Sequence, residues 1–463
     1  MDRKMQPLIA LSEQAASINS RPLAPEVQHH ARRALIDWYA ALLPGCLLSP
    51  ATNLATVLAA SRGGRSVCYV DGSRTDIRTA ALLNAVASHT IEFDDIHRDS
   101  GYHPGCPTIP AALAVAQERG ASMEALLRAV TAGYEVSCRI GMAVQPSHYR
   151  MWHTTGTVGT FGAATAAAIL LGCGTGQIAH AIATAATMAA GLQQAFRGGG
   201  MSKPLHAGHA AEAGCLAALA ASAGVTGNPD VLDGPAGFAA ATSDGTGRWE
   251  IALADLGKRL AITEITFKNH GCCGHIFPAL DGLRHLQRKV AFAAVDIEHI
   301  RIGGYRATKE VCDRPHVSSE QEARFSTQYC AAILLTRGGV RLDAYRPEYL
   351  RSADIKAIMS RVSVELDPDI ADVYPARRPA RVEVTLRDGR VLEHFQPTRI
   401  GDPDAPLSDA DLSDKFLELV SPVIGDGPAR ELLADLWERE ELPTQIQPRA
   451  TMSLTSLRSA NLL

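Results

Sequence analysis

Between His89 and His103, four carboxylates (Glu92, Asp94, Asp95 and Asp99) alternate with three imidazoles, His89, His97 and His103. That density fits three arrangements. A divalent metal site would draw on Asp and His as ligands, although the stretch lacks HExxH or any comparable fixed spacing. A solvated loop would use its carboxylates as helix caps. An active-site loop would use them to position and tune a histidine that exchanges protons near neutral pH. The active-site reading leads, because a buried-looking helix over Thr79–Ser88 feeds directly into the loop.

Three further segments hold polar residues in apolar surroundings. In Trp152-His153-Thr154-Thr155-Gly156, either threonine suits the N-cap of the helix that follows, and the open N–H groups of a helix start suit a carboxylate ligand. The stretch Arg197–His209 carries a glycine run followed by Lys203 and His206. It lacks the GxxxxGK[ST] spacing of a phosphate loop, which leaves an anion pocket or a surface turn. In Phe267–His275, the adjacent Cys272-Cys273 with His275 has no second cysteine pair to complete a structural zinc site. A nucleophilic cysteine is a further alternative, and a glycine-rich domain joint that offers Lys268 to a cleft is the leading one.

The elements that must hold these residues are mostly helical. From residue 5 to about 265, polar residues recur at helical spacing, as in Glu26–Ala41 and Ala111–Gln117. Small residues dominate Gly156–Gly172 and Ile178–Gly191. These runs are interrupted by Thr or His and are too short for a membrane span of roughly 18 to 20 apolar residues, so they read as closely packed buried helices. Near Ile262 the texture turns to strands: Ile262–Lys268, Ile297–Ala307, Val362–Leu366, and a hairpin of Ala380–Leu386 and Val391–Phe395 around Asp388-Gly389. A helix over Pro278–Val290 accompanies them. Helical pattern returns in Ser408–Val420 and Pro428–Arg439. The expected fold is therefore mainly α with an α+β insertion. Residues 1–266 and 399–463 form a large all-helical domain, and 267–398 form a smaller α+β lid domain. Composition agrees with a globular chain: 46% hydrophobic, 20% charged, net charge −4. That balance offers no nucleic-acid or membrane surface. The N-terminus has no secretory pattern, so the ten cysteines are expected to be reduced, in the cytoplasm.

The four segments together resemble the MmgE/PrpD family over roughly residues 10–440. The likeness rests on Phe93-Asp94-Asp95 leading to His103-Pro104, on Trp152–Thr155, on Lys203–Gly208, on Lys268–His275 and on Glu322–Tyr329. The family includes 2-methylcitrate dehydratase, cis-aconitate decarboxylase and iminodisuccinate epimerase. The resemblance implies a large helical domain built from both chain ends, an inserted lid, a homodimer, and no metal or organic cofactor. It implies pocket residues at Glu92, Ile96, His103, His153, Lys203, Lys268, Cys273 and Tyr329. Relative to the decarboxylase branch, Glu92 replaces Asp, Ile96 replaces Thr and Cys273 replaces His.

The chemistry so implied is proton transfer at the carbon α to a carboxylate of a small di- or tricarboxylic acid. The leading expectation is a dehydratase like that for 2-methylcitrate. Decarboxylation and epimerisation are the alternatives, and a non-catalytic polycarboxylate-binding protein is a remote one. Charge that develops on the carboxylate falls to Lys203, Lys268 and His153. His103 exchanges the proton, oriented by Glu92, Asp94 or Asp95, and Tyr329 assists a leaving hydroxyl. Substrate contacts are also expected from Glu92, Asp94, Asp95, His97, Thr154, His206, Cys273 and His275. Treatment with EDTA is accordingly expected to leave turnover unchanged; loss of activity restored by one divalent ion would overturn the metal-free reading.

Overall fold

Small side chains decide how the helices of this chain meet. In the computed structural model, which describes residues 6–58, 62–196, 200–374 and 377–443, the helix Gly159–Leu170 is buried from Gly159 to Ile169. It lies against Met123–Val144, Gly105–Arg119 and Lys203–Ser222. A β-carbon on Gly214 would come within 2.5 Å of Ala163 Cβ, and one on Gly133 within 2.7 Å of the Gly162 carbonyl oxygen. Neither approach is open to a larger residue, so glycine permits these crossings. The run Gly156–Gly172 is thus largely buried helix, as its interrupted pattern predicts; of Ile178–Gly191 only Ile178–Ala186 is helical, and 187–191 form an exposed to half-buried turn. Among the described residues no helix is long and apolar enough to cross a membrane.

The helix ends carry their own signals. The Asp76 carboxylate accepts the Arg78 and Thr79 N–H groups and starts Ile77–Ser88. Ser122 caps Met123–Val144. Ser408 and Asp411 form a capping box at the start of Asp409–Ile424.

The described residues fall into two compact units. One draws on Met1–Phe196, Met201–Thr266 and Ser408–Thr451, the other on Phe267–Leu407. The first is not purely helical. Strand Arg62–Val67 pairs with Arg74–Thr75, and Ile96–His97 pairs with Ile265–Thr266. The second ladder corrects the expected strand over Ile262–Lys268: a 3₁₀ turn takes Ala261–Glu264, leaving only two residues extended.

The other unit holds a four-stranded sheet in the order Val362–Leu366, Ile297–Gly304, Ala380–Leu386, Val391–Gln396. The first pair is parallel and the others antiparallel. Alternate residues of Ala380–Leu386 are buried, and helix Phe277–Lys289 packs on the last two strands. The Asp388-Gly389 hairpin forms as expected, with Gly389 at φ 88°. Residues 399–407 belong to this unit. Arg399 and Asp402 form a buried ion pair there, and Phe267 donates its N–H to the Gly401 carbonyl.

One long-range contact ties the acidic loop to the end of the chain. Lys415, buried on helix Asp409–Ile424, donates to Asp37 Oδ1 at 2.5 Å and to the Phe93 carbonyl at 2.8 Å. Asp37 is itself fully buried on helix Pro25–Gly45. Removing one partner of such a pair leaves an uncompensated buried charge. Lys415→Met is therefore expected to lower unfolding stability by about 3–5 kcal/mol. A urea midpoint equal to that of the unsubstituted protein would show that Lys415 is not a structural tie.

Candidate active site

The acidic loop begins where helix Ile77–Ser88 ends, with His89 at its C-cap. Three residues on, Glu92 sits at φ 60°, a left-handed conformation that a non-glycine residue adopts at a cost of about 1–3 kcal/mol. The site offsets that strain. Glu92 is buried and ion-paired with Lys203, itself buried at the first position of helix Lys203–Ser222. Two side chains 111 positions apart thereby neutralise each other away from water.

Asp94 gathers the next layer. Its Oδ2 lies 2.7 Å from His89 Nδ1, 2.8 Å from Cys106 Sγ and 3.1 Å from His103 Nδ1. His103 Nδ1 is also 2.7 Å from the Asp95 carbonyl oxygen. Both of its neighbours are acceptors, so Nδ1 carries the hydrogen and Nε2 of the neutral ring carries the lone pair. The ring is 17% exposed, so that lone pair can meet a ligand. His89 is fully buried, and burial, then the Lys203 charge, push its pKa down to about 4. It stays neutral, stacked on His153 at 5.5 Å. Burial, then the Asp94 carboxylate, push the Cys106 thiol well up.

Asp95 does a different job. Its Oδ1 accepts the Gly105 N–H at 2.9 Å and its Oδ2 the Tyr134 hydroxyl at 2.8 Å. It thus seats the start of helix Gly105–Arg119. A β-carbon on Gly105 would meet Asp95 Oδ1 at 2.8 Å.

His153 faces His206, with 3.0 Å between their Nδ1 atoms. Burial lowers the pKa of both, His206 to about 4. The structure thus brings Glu92, Asp94, Asp95, His103, His153, Lys203 and His206 into one connected cluster. His97 and Thr154 flank it. His97 Nδ1 accepts the Ser100 N–H, and Thr154 accepts from Gln145 Nε2 at 3.1 Å. Neither threonine caps the following helix. His153 occupies that position without a side-chain cap, and Thr154 already lies inside the four-residue turn. Of the glycine run before Lys203, Arg197–Gly199 lie outside the described residues.

The remaining candidates belong to the other unit and are placed there individually. Lys268 is buried. Cys273 donates its N–H to the Arg324 carbonyl. His275 Nδ1 lies 2.8 Å from the Tyr305 hydroxyl, and burial followed by Arg378 pushes its pKa down to about 3. Tyr329 donates its hydroxyl to the Ala344 carbonyl at 2.6 Å. That hydroxyl hydrogen is directed to the backbone.

Sequence reasoning missed His89 and Cys106 as members of the cluster. Cys106 follows His103-Pro104-Gly105 directly, but only the fold shows that both side chains converge on Asp94. The His89, Asp94 and Cys106 donor atoms lie within 4.8 Å of one another, close enough to surround a metal ion. A cysteine binds metal as thiolate, however, and here the thiol donates to Asp94. His89 Nδ1 and Cys106 Sγ both meet Asp94 Oδ2, while His89 Nε2 is buried without a hydrogen-bond partner.

Residues 10–250 match the MmgE/PrpD N-terminal domain and residues 270–439 the MmgE/PrpD C-terminal domain. The chain belongs to the MmgE/PrpD family. Among its relatives is the human cis-aconitate decarboxylase, 30% identical over 373 residues that cover 78% of this chain and 76% of that protein. The cis-aconitate decarboxylase-like protein oryM of Aspergillus oryzae is 27% identical over 424 residues, 86% and 87% of the two chains. The mouse cis-aconitate decarboxylase is 27% identical over 379 residues, 78% and 76%.

Asp95 also makes the stability of this family member pH-dependent. Burial, and then the Asp37 charge, push its carboxyl up to about 8. The folded protein therefore keeps a proton that the unfolded chain releases above about pH 4. The stability this contributes is full below that pH and is lost as pH rises towards about 8. Asp95→Asn, which preserves an acceptor for Gly105, is expected to flatten the fall in unfolding free energy over that window. Equal dependence of unfolding free energy on pH in both proteins, measured by urea titrations at several pH values, would show that Asp95 is ionised in the fold.

Proposed function

We propose that this MmgE/PrpD protein is a lyase acting at the carbon next to a carboxylate of a small polycarboxylic acid, with decarboxylation of cis-aconitate as the leading reaction. The relatives support that choice over the dehydratase expected from sequence motifs, since each of the three named above is a cis-aconitate decarboxylase or is named as like one. The observation that carries proton transfer is His103, whose Nδ1 is committed to Asp95 and Asp94 while Nε2 is left to act on a ligand.

Breaking the bond to a carboxyl carbon releases CO₂ and leaves an electron pair on the remaining carbon, which then takes up a proton. His103 suits delivery of that proton, cycling between imidazolium and imidazole at Nε2 with Asp94 steadying the charged form. Lys203, paired with Glu92, suits the negative charge of the substrate. Lys268, Cys273, His275 and Tyr329 remain proposed contributors on the strength of the family motifs. The same reading carries a homodimer without metal or organic cofactor, in the cytoplasm, where reduced cysteines persist.

The test is product analysis with cis-aconitate, citrate, 2-methylcitrate and iminodisuccinate. The expected result is one CO₂ and one five-carbon dicarboxylate per cis-aconitate consumed. Water loss or gain without CO₂ would replace this reading with the dehydratase one. His103→Ala is expected to lower kcat by roughly 10²–10⁴-fold with an unchanged circular dichroism spectrum. Near-normal turnover in that variant would remove His103 from the chemistry.

A further inference from the structure

We infer that His206 is a positioning residue that sets which nitrogen of His153 carries hydrogen, so that His153 presents an Nε2–H donor to the substrate's negative charge. The inference rests on the proposed reaction of an anionic substrate. Its basis is the contact between the two rings.

At 3.0 Å the two Nδ1 atoms are hydrogen-bonded, and such a bond holds one hydrogen between them. With both rings neutral, two arrangements exist. If His153 donates, its Nε2 holds a lone pair, which repels an anion. If His206 donates, His153 Nδ1 holds the lone pair and its Nε2 carries the hydrogen, which attracts one. Moving the Nδ1 hydrogen from His153 to His206, together with loss of the His206 Nε2 hydrogen to water and gain of one from water at His153 Nε2, converts one form to the other with both rings neutral at start and end. An arriving carboxylate selects the second form, and His206 satisfies the buried Nδ1 that this form leaves bare.

The fold holds His206 in place for this. Two glycines make room for its side chain, one beside the ring and one beside the β-carbon. A β-carbon on Gly191 would meet His206 Nδ1 at 3.1 Å, and one on Gly156 would meet His206 Cβ at 2.9 Å. Gly191 has φ 136°, and its carbonyl accepts the His153 N–H at 2.9 Å. The same residue therefore anchors the backbone of one histidine and makes room for the ring of the other. His206 also lies one helical turn beyond Lys203, so the residue that sets the tautomer and the residue that supplies the charge share one rigid element. The charged and titratable neighbours of the pair are Lys203, His89, His103 and His209.

The experiment compares His206→Ala with His206→Asn. An asparagine amide can donate to His153 Nδ1; alanine leaves that atom without a partner. His206→Ala is expected to lose about 10- to 100-fold in kcat/KM with cis-aconitate, and His206→Asn to recover most of it. Near-normal turnover in the alanine variant, or equal losses in both, would overturn the inference. A second measurement needs no substrate. Nitrogen-15 shifts of the histidine rings in the unliganded protein are expected to show one protonated Nδ1 shared by His153 and His206. Two bare Nδ1 atoms would overturn it even if decarboxylation is confirmed. A shared proton in a protein inactive on cis-aconitate would retain the pairing and reject the reaction instead.

Discussion

A single carboxylate oxygen, Asp94 Oδ2, receives His89, His103 and Cys106 in a buried setting. A buried carboxylate needs donors, and those nearby come from separate elements: His89 from a helix end, His103 from the loop, Cys106 from the next helix. Satisfying one acceptor therefore fixes the relative positions of three pieces of chain. It also orients His103, because its Nδ1 hydrogen is drawn towards Asp94 and the Asp95 carbonyl. The packing of the loop and the orientation of the His103 ring thus have one cause.

The loop that carries Asp94 is held by two lysines at adjacent residues. The strained Glu92 backbone is retained by a buried ion pair with Lys203. Next to it, Lys415 binds the Phe93 carbonyl while neutralising Asp37. Both anchors are lysines from later in the chain, on helices whose only link to the loop is tertiary. Such pairs stabilise less than their number suggests, since desolvation opposes the Coulomb attraction. What they add is specificity: a displaced loop would leave two buried charges unpaired.

The histidines divide by environment. Burial keeps His89, His153 and His206 neutral, so they act through tautomers and hydrogen bonds rather than charge. His103 is partly exposed and has a carboxylate beside its Nδ1. Chemically identical side chains thus take different parts according to how much water surrounds them and which atom faces them.

Much of this was legible in the sequence, and for local reasons. Helical periodicity, as in Thr79–Ser88 and Ser408–Val420, and the Asp388-Gly389 turn are short-range properties, so the main helices and the hairpin could be read directly; the Asp76 cap, which starts the first of these helices two residues earlier, was not. Clustering of Asp, Glu and His between 89 and 103 likewise marked the loop. Long-range pairing was not legible. Nothing in the spacing of residues 89, 94 and 106 says that three side chains share one oxygen, that Lys415 reaches Phe93, or that Ile265–Thr266 would pair with Ile96–His97. The His153–His206 contact depends on two glycines that let segments 53 residues apart approach. Composition and periodicity determine which elements form and which residue types are available. Only tertiary packing decides which donor meets which acceptor, because hydrogen-bond geometry is set over a few tenths of an ångström by chains that meet far from one another in sequence.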